Sequence, residues 1–155
     1  MLIYSSLICD RKIEVSNMSN TTKVQIEKTL LPTDREPTLR LVPMPSDTNA
    51  AGDIFGGWIM SQVDIAGSIA AHKHVKDRVV TVAVNEFQFH QPVYVGDLVS
   101  CYATVAKTGR TSVTIFVEVY AERQRSIGEC IKVTEATLVY VAIGEDRQPK
   151  VIDKS

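Results

Sequence analysis

A chain of 155 residues suits one domain with a proper core and leaves little room for two. Apolar residues make up 45% of it and charged residues 23%, the ordinary balance of a soluble globule. With a formal net charge of −1 there is no excess of basic charge to hold a polyanion such as DNA, so any phosphate site must be local.

The opening run MLIYSSLICDRK is apolar but short. No basic residue precedes it, and it ends in Asp10-Arg11-Lys12 rather than in a small-residue cleavage site, unlike a secretory signal. Met18 then opens MSNTTK as a more natural start, so residues 1–17 read as an upstream extension and 1–36 as a flexible, polar N-terminal one. Residues 54–71 are apolar enough to raise the question of a membrane span, but Ser61, Gln62, Asp64 and Ser68 interrupt them. Cys9, Cys101 and Cys130 form no CxxC pair and no disulfide framework. Cys101 and Cys130 sit in strand-like apolar runs as buried free thiols, which fits a reducing, cytoplasmic compartment.

A short first strand is expected over 37–43, followed by a polar loop to Gly52. Asp53 stands where a helix N-cap belongs, and 54 to about 75 reads as the one long helix. Ile59, Val63, Ala66, Ile69 and Ala70 recur at helical spacing, while Trp58, Met60 and Ile65 carry apolar character to other sides, the pattern of a buried helix. From Arg78 the period changes to two. Four long strands are expected, at about 78–91, 97–108, 111–125 and 127–143. Breakers separate them at Gln91-Pro92 and Gly96-Asp97, at Thr108-Gly109-Arg110, and at Ser126-Ile127-Gly128. Strand, buried helix and antiparallel meander together make an α+β layer design in which one sheet wraps one helix. Its edge strand and outer side need cover, which argues for a second copy.

Asp64 is the most informative residue. It is the only charged side chain between 54 and 71, and a carboxylate in a buried layer costs several kcal/mol unless partnered. Ser68 lies one helical turn on and faces the same way. On chemistry alone, a structural aspartate that caps backbone or bridges subunits explains Asp64 equally well. Gly56 and Gly57 would let a ligand approach the N–H groups of the first helical turn, donors that acyl transfer needs for its oxyanion; they could also merely permit close packing. The Lys107-Thr108-Gly109-Arg110-Thr111-Ser112 connection could hold a phosphate or be a solvated hairpin tip. His72 and His74 are two apart, the wrong spacing for joint metal ligation, and His90 ends a strand, so no metal is expected.

Taken in order, Met44-Pro-Ser-Asp-Thr-Asn49, Gly52-Asp-Ile-Phe-Gly-Gly57, Trp58-Ile-Met-Ser-Gln-Val-Asp64, Arg78-Val-Val-Thr-Val-Ala-Val84, Pro92-Val-Tyr-Val-Gly-Asp97 and Gly109-Arg110-Thr-Ser112 strongly resemble the YciA-type bacterial acyl-CoA thioesterases. These belong to the wider hotdog group that includes the cytosolic mammalian acyl-CoA hydrolases. The resemblance covers about residues 38–145. It implies a hotdog fold over 37–145, with a C-terminal tail at 146–155. It also implies hydrolysis of acyl-CoA to free acid and coenzyme A without a cofactor. Asp64 would act as general base or nucleophile. The backbone N–H of Gly57 or Gly56 would hold the oxyanion, Asp53 would contribute from across a subunit boundary, and Ser68 would stand beside the catalytic acid. Asn49, Gly56, Arg110 and Ser112 would bind substrate. The implied assembly is a homo-oligomer, a dimer as minimum and a trimer of dimers beyond it, with no nucleic-acid or membrane partner. Two rivals are a hotdog hydratase or dehydratase and a non-catalytic acyl-CoA sensor. The first needs a histidine near 52–64 and finds none; the second needs a DNA-binding segment that 1–36 does not provide.

Overall fold

The computed structural model describes residues 29–123 and 129–153; Cys9, the 1–17 extension and the Ser126-Ile127-Gly128 breaker lie outside them. Strand β1 (Leu39–Leu41) and a 3-10 turn (Pro45–Asp47) precede the helix α1 (Gly56–His74), and β2 (Arg78–Phe89), β3 (Leu98–Thr108), β4 (Ser112–Glu122) and β5 (Cys130–Ile143) follow. The strands form one antiparallel sheet in the order β1-β3-β4-β5-β2. The last three strands make a meander, while β2 crosses to the far edge beside β5.

Alternation makes the inner face. Val113, Ile115, Val117 and Val119 of β4 are all fully buried, and the register sets Val113 opposite Tyr140, Ile115 opposite Leu138 and Val117 opposite Ala136 of β5. Against this face α1 lays a stripe of Ile59, Val63, Ala66, Gly67 and Ala71. The small residues in that stripe let helix and sheet approach closely. The helix is therefore buried along one stripe only, not nearly all round. Ile69 and Ala70 are half-buried, Met60 and Ile65 are exposed, and so are Val82, Val84 and Phe89 on the edge strand β2. Apolar side chains thus stand open on both the helix and the sheet edge.

The start of α1 also differs from expectation. Phe55, not Asp53, is the N-cap residue, in extended conformation and without a side-chain cap. The approach to it is held by main chain: Ile54 N–H donates to the Val93 carbonyl at 2.9 Å and Phe55 N–H to the Asp47 carbonyl at 2.8 Å. Val93 belongs to the β2–β3 connection, which turns through Gly96 at φ 90°. That connection is clamped by a buried ion pair. The Asp97 carboxylate accepts from Arg123 and from the Tyr94 N–H at 2.9 Å. Arg123 also donates to the Pro92 carbonyl at 2.6 Å, and its guanidinium lies 4.5 Å from the Tyr94 ring centroid.

Residues 29–36, read from sequence as part of a flexible extension, lie on the outer face of the sheet. Leu31 packs on the Tyr102, Tyr120 and Cys130 cluster, and Arg35 donates to Glu118 at 2.6 Å. The stretch read as a C-terminal tail returns along the end of β5. Lys150 N–H donates to the Ala142 carbonyl, Ile152 N–H donates to the Arg110 carbonyl, both at 2.8 Å, and Ile152 is buried in the core. Among the described residues no helix is long and apolar enough to cross a membrane.

The clamp generates a stability prediction. Arg123→Ala leaves the Asp97 charge buried without its partner, so unfolding free energy should fall by about 3 to 5 kcal/mol in chemical denaturation. A loss below about 1 kcal/mol, the scale of an exposed pair, would show that the clamp does not hold the loop.

Candidate active site

The middle of α1 carries Asp64 on the side turned towards β2 and β5. Its Oδ1 accepts from the Thr81 hydroxyl at 2.7 Å and from the Tyr140 hydroxyl at 3.2 Å; the latter also lies 2.9 Å from Asp64's own carbonyl oxygen. Thr81 and Tyr140 are directly opposed across the β2–β5 pair. The β2 register slips just after Thr81, a bulge of the kind that re-aims a side chain beside a functional site. Tyr140 is fully buried; burial, then the Asp64 charge and the hydrogen bond to it, push its phenol well above the ordinary tyrosine range. It therefore remains a proton donor at any working pH. Among the described residues Oδ2 of Asp64 has no hydrogen-bond partner. Ser68 does not join this group, because its hydroxyl donates to the Ile65 carbonyl at 2.8 Å.

Gly56 and Gly57 occupy the first two positions of α1, ahead of the first helical bonds, which Trp58 and Ile59 N–H make to the Phe55 carbonyl. Among the described residues no side chain caps them, and their N–H groups are open donors at the positive end of the helix. Two exposed aromatic rings flank them. A Cβ on Gly57 would lie 3.2 Å from the Phe55 ring, and one on Gly56 would lie 3.5 Å from Phe89. The preceding loop is shaped by Asn49, whose side-chain oxygen accepts from Ala51 N–H at 2.8 Å and Asp53 N–H at 3.2 Å. Asp53 is half-exposed, and its carboxylate has no partner among the described residues.

The β3–β4 hairpin lies at the opposite end of the helix, because His74 at the C-terminus of α1 bonds the Thr108 hydroxyl at 2.8 Å. Gly109 N–H closes the turn on the Ser112 carbonyl at 2.7 Å, and Arg110 projects into solvent. Helical rise spaces these groups. Gly57 to Asp64 is about 10 Å along the axis, and Asp64 to the helix C-terminus about 15 Å. The chain thus gathers Asn49, Asp53, Gly56 and Gly57 at one end of α1, Asp64 and Ser68 in its middle, and Arg110 and Ser112 at the other end. Among the described residues no cluster of three metal-ligating groups occurs.

Sequence reasoning missed Thr81, Tyr140 and Gly67. The first two look like ordinary members of alternating strands. Gly67 carried a signal, since a glycine inside a helix costs about 1 kcal/mol relative to alanine and needs a reason. The reason is contact: a Cβ there would overlap the Tyr140 hydroxyl and press ring atoms at 3.1 and 3.2 Å.

Comparison with known proteins sets this geometry in a family. The model of the thioesterase superfamily matches residues 51–127. The acyl-CoA thioester hydrolase YciA of Salmonella typhimurium is 50% identical over 117 residues, covering 74% of this chain and 88% of the relative. The chain belongs to the acyl-CoA thioester hydrolases. A hexameric hotdog fold thioesterase of Campylobacter jejuni superposes with a TM-score of 0.73 at 46% identity, covering 77% of this hydrolase and 91% of the other. An acyl-CoA hydrolase from Staphylococcus aureus, solved with butyryl coenzyme A and coenzyme A, gives a TM-score of 0.68 at 26% identity over 74% of this chain and 69% of that one. The sheet wrapped on α1 is the hotdog fold that the sequence motifs implied.

The loop of this hydrolase before α1 turns through Gly52 at φ 90°, in open space with nothing within 4 Å of where a Cβ would stand. Gly52→Ala should therefore cost about 1 to 2 kcal/mol through backbone strain alone, measured by denaturation. An unchanged stability would mean that the loop relaxes to negative φ.

Proposed function

We infer that the protein hydrolyses acyl-CoA to free acid and coenzyme A, with Asp64 as the reacting carboxylate. The observation that carries this reading is the state of that side chain: Oδ1 is held by two neutral donors, and Oδ2 is without a partner among the described residues. As general base, Oδ2 takes a proton from water while the water oxygen attacks the thioester carbon. As nucleophile, Oδ2 attacks that carbon itself, and water then cleaves the resulting anhydride. In either route the carbonyl oxygen gains negative charge, for which the N–H of Gly57 or Gly56 is the donor, and the carbon–sulfur bond breaks to release the coenzyme A thiolate. A thiol with a pKa of about 8.5 leaves readily, so no metal or cofactor is required. None of the three histidines bonds Asp64, as a carbon-centred proton shuttle would require.

The spacing along α1 supports a site shared between two copies. Over about 10 Å, Asp64 and Gly57 of one helix cannot both contact one carbonyl group. A second copy supplying its helix N-terminus, with Gly57, Asn49 and Asp53, removes the difficulty. It would also cover the apolar side chains left open on α1 and β2. The hexameric state of the Campylobacter thioesterase agrees with a homo-oligomer built from such dimers, three to the assembly. A cytoplasmic setting suits the buried thiol of Cys101.

Asp64→Asn should lower kcat for thiol release from acyl-CoA by about 10² or more with the fold intact. Turnover near wild type would remove Asp64 from the mechanism. Mixing Asp64→Asn chains with Asp53→Ala chains should restore part of the activity if the two residues meet across an interface; recovery no greater than the sum of the separate preparations speaks against the shared site.

In this reading Arg110, beyond the C-terminal end of α1, would meet the phosphates of coenzyme A, with Ser112 near it in the same turn and the pantetheine arm bridging the distance to Asp64. Losing one charge-assisted contact of about 1.5 to 3 kcal/mol, Arg110→Ala should raise KM for acyl-CoA roughly tenfold or more and flatten its salt dependence. For an acyl-pantetheine, which lacks the nucleotide, kcat/KM should hardly change. Equal losses on both substrates, or none on either, would make the turn an ordinary solvated hairpin.

A further inference from the structure

We propose that Tyr140 is a positioning residue of the hydrolase site, which with Gly67 fixes the Asp64 side chain so that one chosen carboxylate oxygen is left to react. The proposal rests on the reading of Asp64 given above. A buried tyrosine hydroxyl needs a hydrogen-bond partner, and a single backbone carbonyl would satisfy it. Here the hydroxyl forks between the main-chain oxygen of Asp64 at 2.9 Å and its Oδ1 at 3.2 Å. One donor thus ties the carboxylate to its own backbone, which restricts the side chain to rotamers that keep Oδ1 against the sheet. Thr81, the cross-strand neighbour of Tyr140, donates to the same oxygen at 2.7 Å. Both donors are neutral and both fall on Oδ1, so the carboxylate is oriented without being neutralised, and Oδ2 is the oxygen left over.

Gly67 shows that helix packing makes room for this contact. It is buried, one turn from Asp64, beside Ala66, Ala70 and Ala71. Packing alone would accept a fourth alanine and gain helix stability from it. What excludes a methyl group is the hydroxyl, which the added Cβ would overlap, with the ring carbons at 3.1 and 3.2 Å next in line. Gly67 therefore acts through Tyr140, and Tyr140 acts through Asp64.

Steady-state thiol release with kcat and KM separated tests this, with thermal melts as a check on folding. Tyr140→Phe removes the hydroxyl and should lower kcat about tenfold to a hundredfold, the scale of a misplaced catalytic group, with KM changed less than about twofold. Gly67→Ala keeps the hydroxyl but displaces it, and should give a loss of the same kind. The double variant should be no slower than the slower single one, because both changes break one link. In an Asp64→Asn background, Tyr140→Phe should not reduce the residual rate further. Wild-type kcat in Tyr140→Phe, multiplying losses in the double variant, or an undiminished effect in the Asp64→Asn background would each overturn the proposal. If Tyr140→Phe fails to fold, Gly67→Ala decides alone: kcat loss at unchanged KM supports the link, and unchanged kcat breaks it. Full turnover in Asp64→Asn would instead sink the reading of Asp64 itself, whereas an inactive Asp64→Asn beside a fully active Tyr140→Phe sinks only this inference.

Discussion

The close approach of α1 to the β4–β5 floor governs much of the molecule. A helix can settle that near a sheet only where its contact stripe is small, and Ala66, Gly67 and Ala71 supply the space between the larger Ile59 and Val63. Closeness then has a chemical consequence. A carboxylate borne on the same helix is carried within hydrogen-bond reach of whatever the strands point upward, which here is the Thr81 and Tyr140 pair. Had the helix stood farther off, those hydroxyls would have needed other partners, and Asp64 would have been a solvated side chain of variable rotamer. Packing at one glycine and electrostatics at one aspartate are two views of a single contact.

Much of this architecture was legible in the residues. The Val113, Ile115, Val117 and Val119 alternation identified both a strand and its inward face, and all four are fully buried. The long strands begin and end close to their Gly and Pro breakers. What failed to show has physical reasons. Asp53 has the right chemistry for an N-cap, but Asn49 and main-chain bonds already hold that loop, and the helix starts later without a side-chain cap. Composition made the helix look buried on all sides, since an apolar face left open reads the same as one covered by its own sheet. Residues 29–36 and 146–153 look polar on average, yet single side chains, Leu31, Arg35 and Ile152, are enough to fasten them.

The candidate site was half legible. A lone charge in an apolar helix singled out Asp64 as the candidate. Its two donors come from strands 17 and 76 residues downstream and meet it only through a cross-strand register interrupted by a bulge. No local pattern encodes such a meeting. Pairing of β2 with β5, which closes the sheet around the helix, is what turns three ordinary residues into one arrangement.

The bond from Ile152 to the Arg110 carbonyl bears on the order in which the molecule completes itself as it is synthesised. The β3–β4 hairpin can form from neighbouring residues as soon as they emerge, since its own contacts are local. Its tip gains its outer main-chain partner, and the core beneath it gains the Ile152 side chain, only after β5 has been made and the chain has doubled back. The two ends of α1 are therefore finished at different times. The end at Gly56 rests on the β2–β3 connection, which is fastened by Arg123 and by the His90 N–H on the Val133 carbonyl of β5, while the end beside the hairpin waits for residues that emerge later still. A chain that ended before residue 152 would leave the hairpin tip without its outer main-chain partner and the core without the Ile152 side chain.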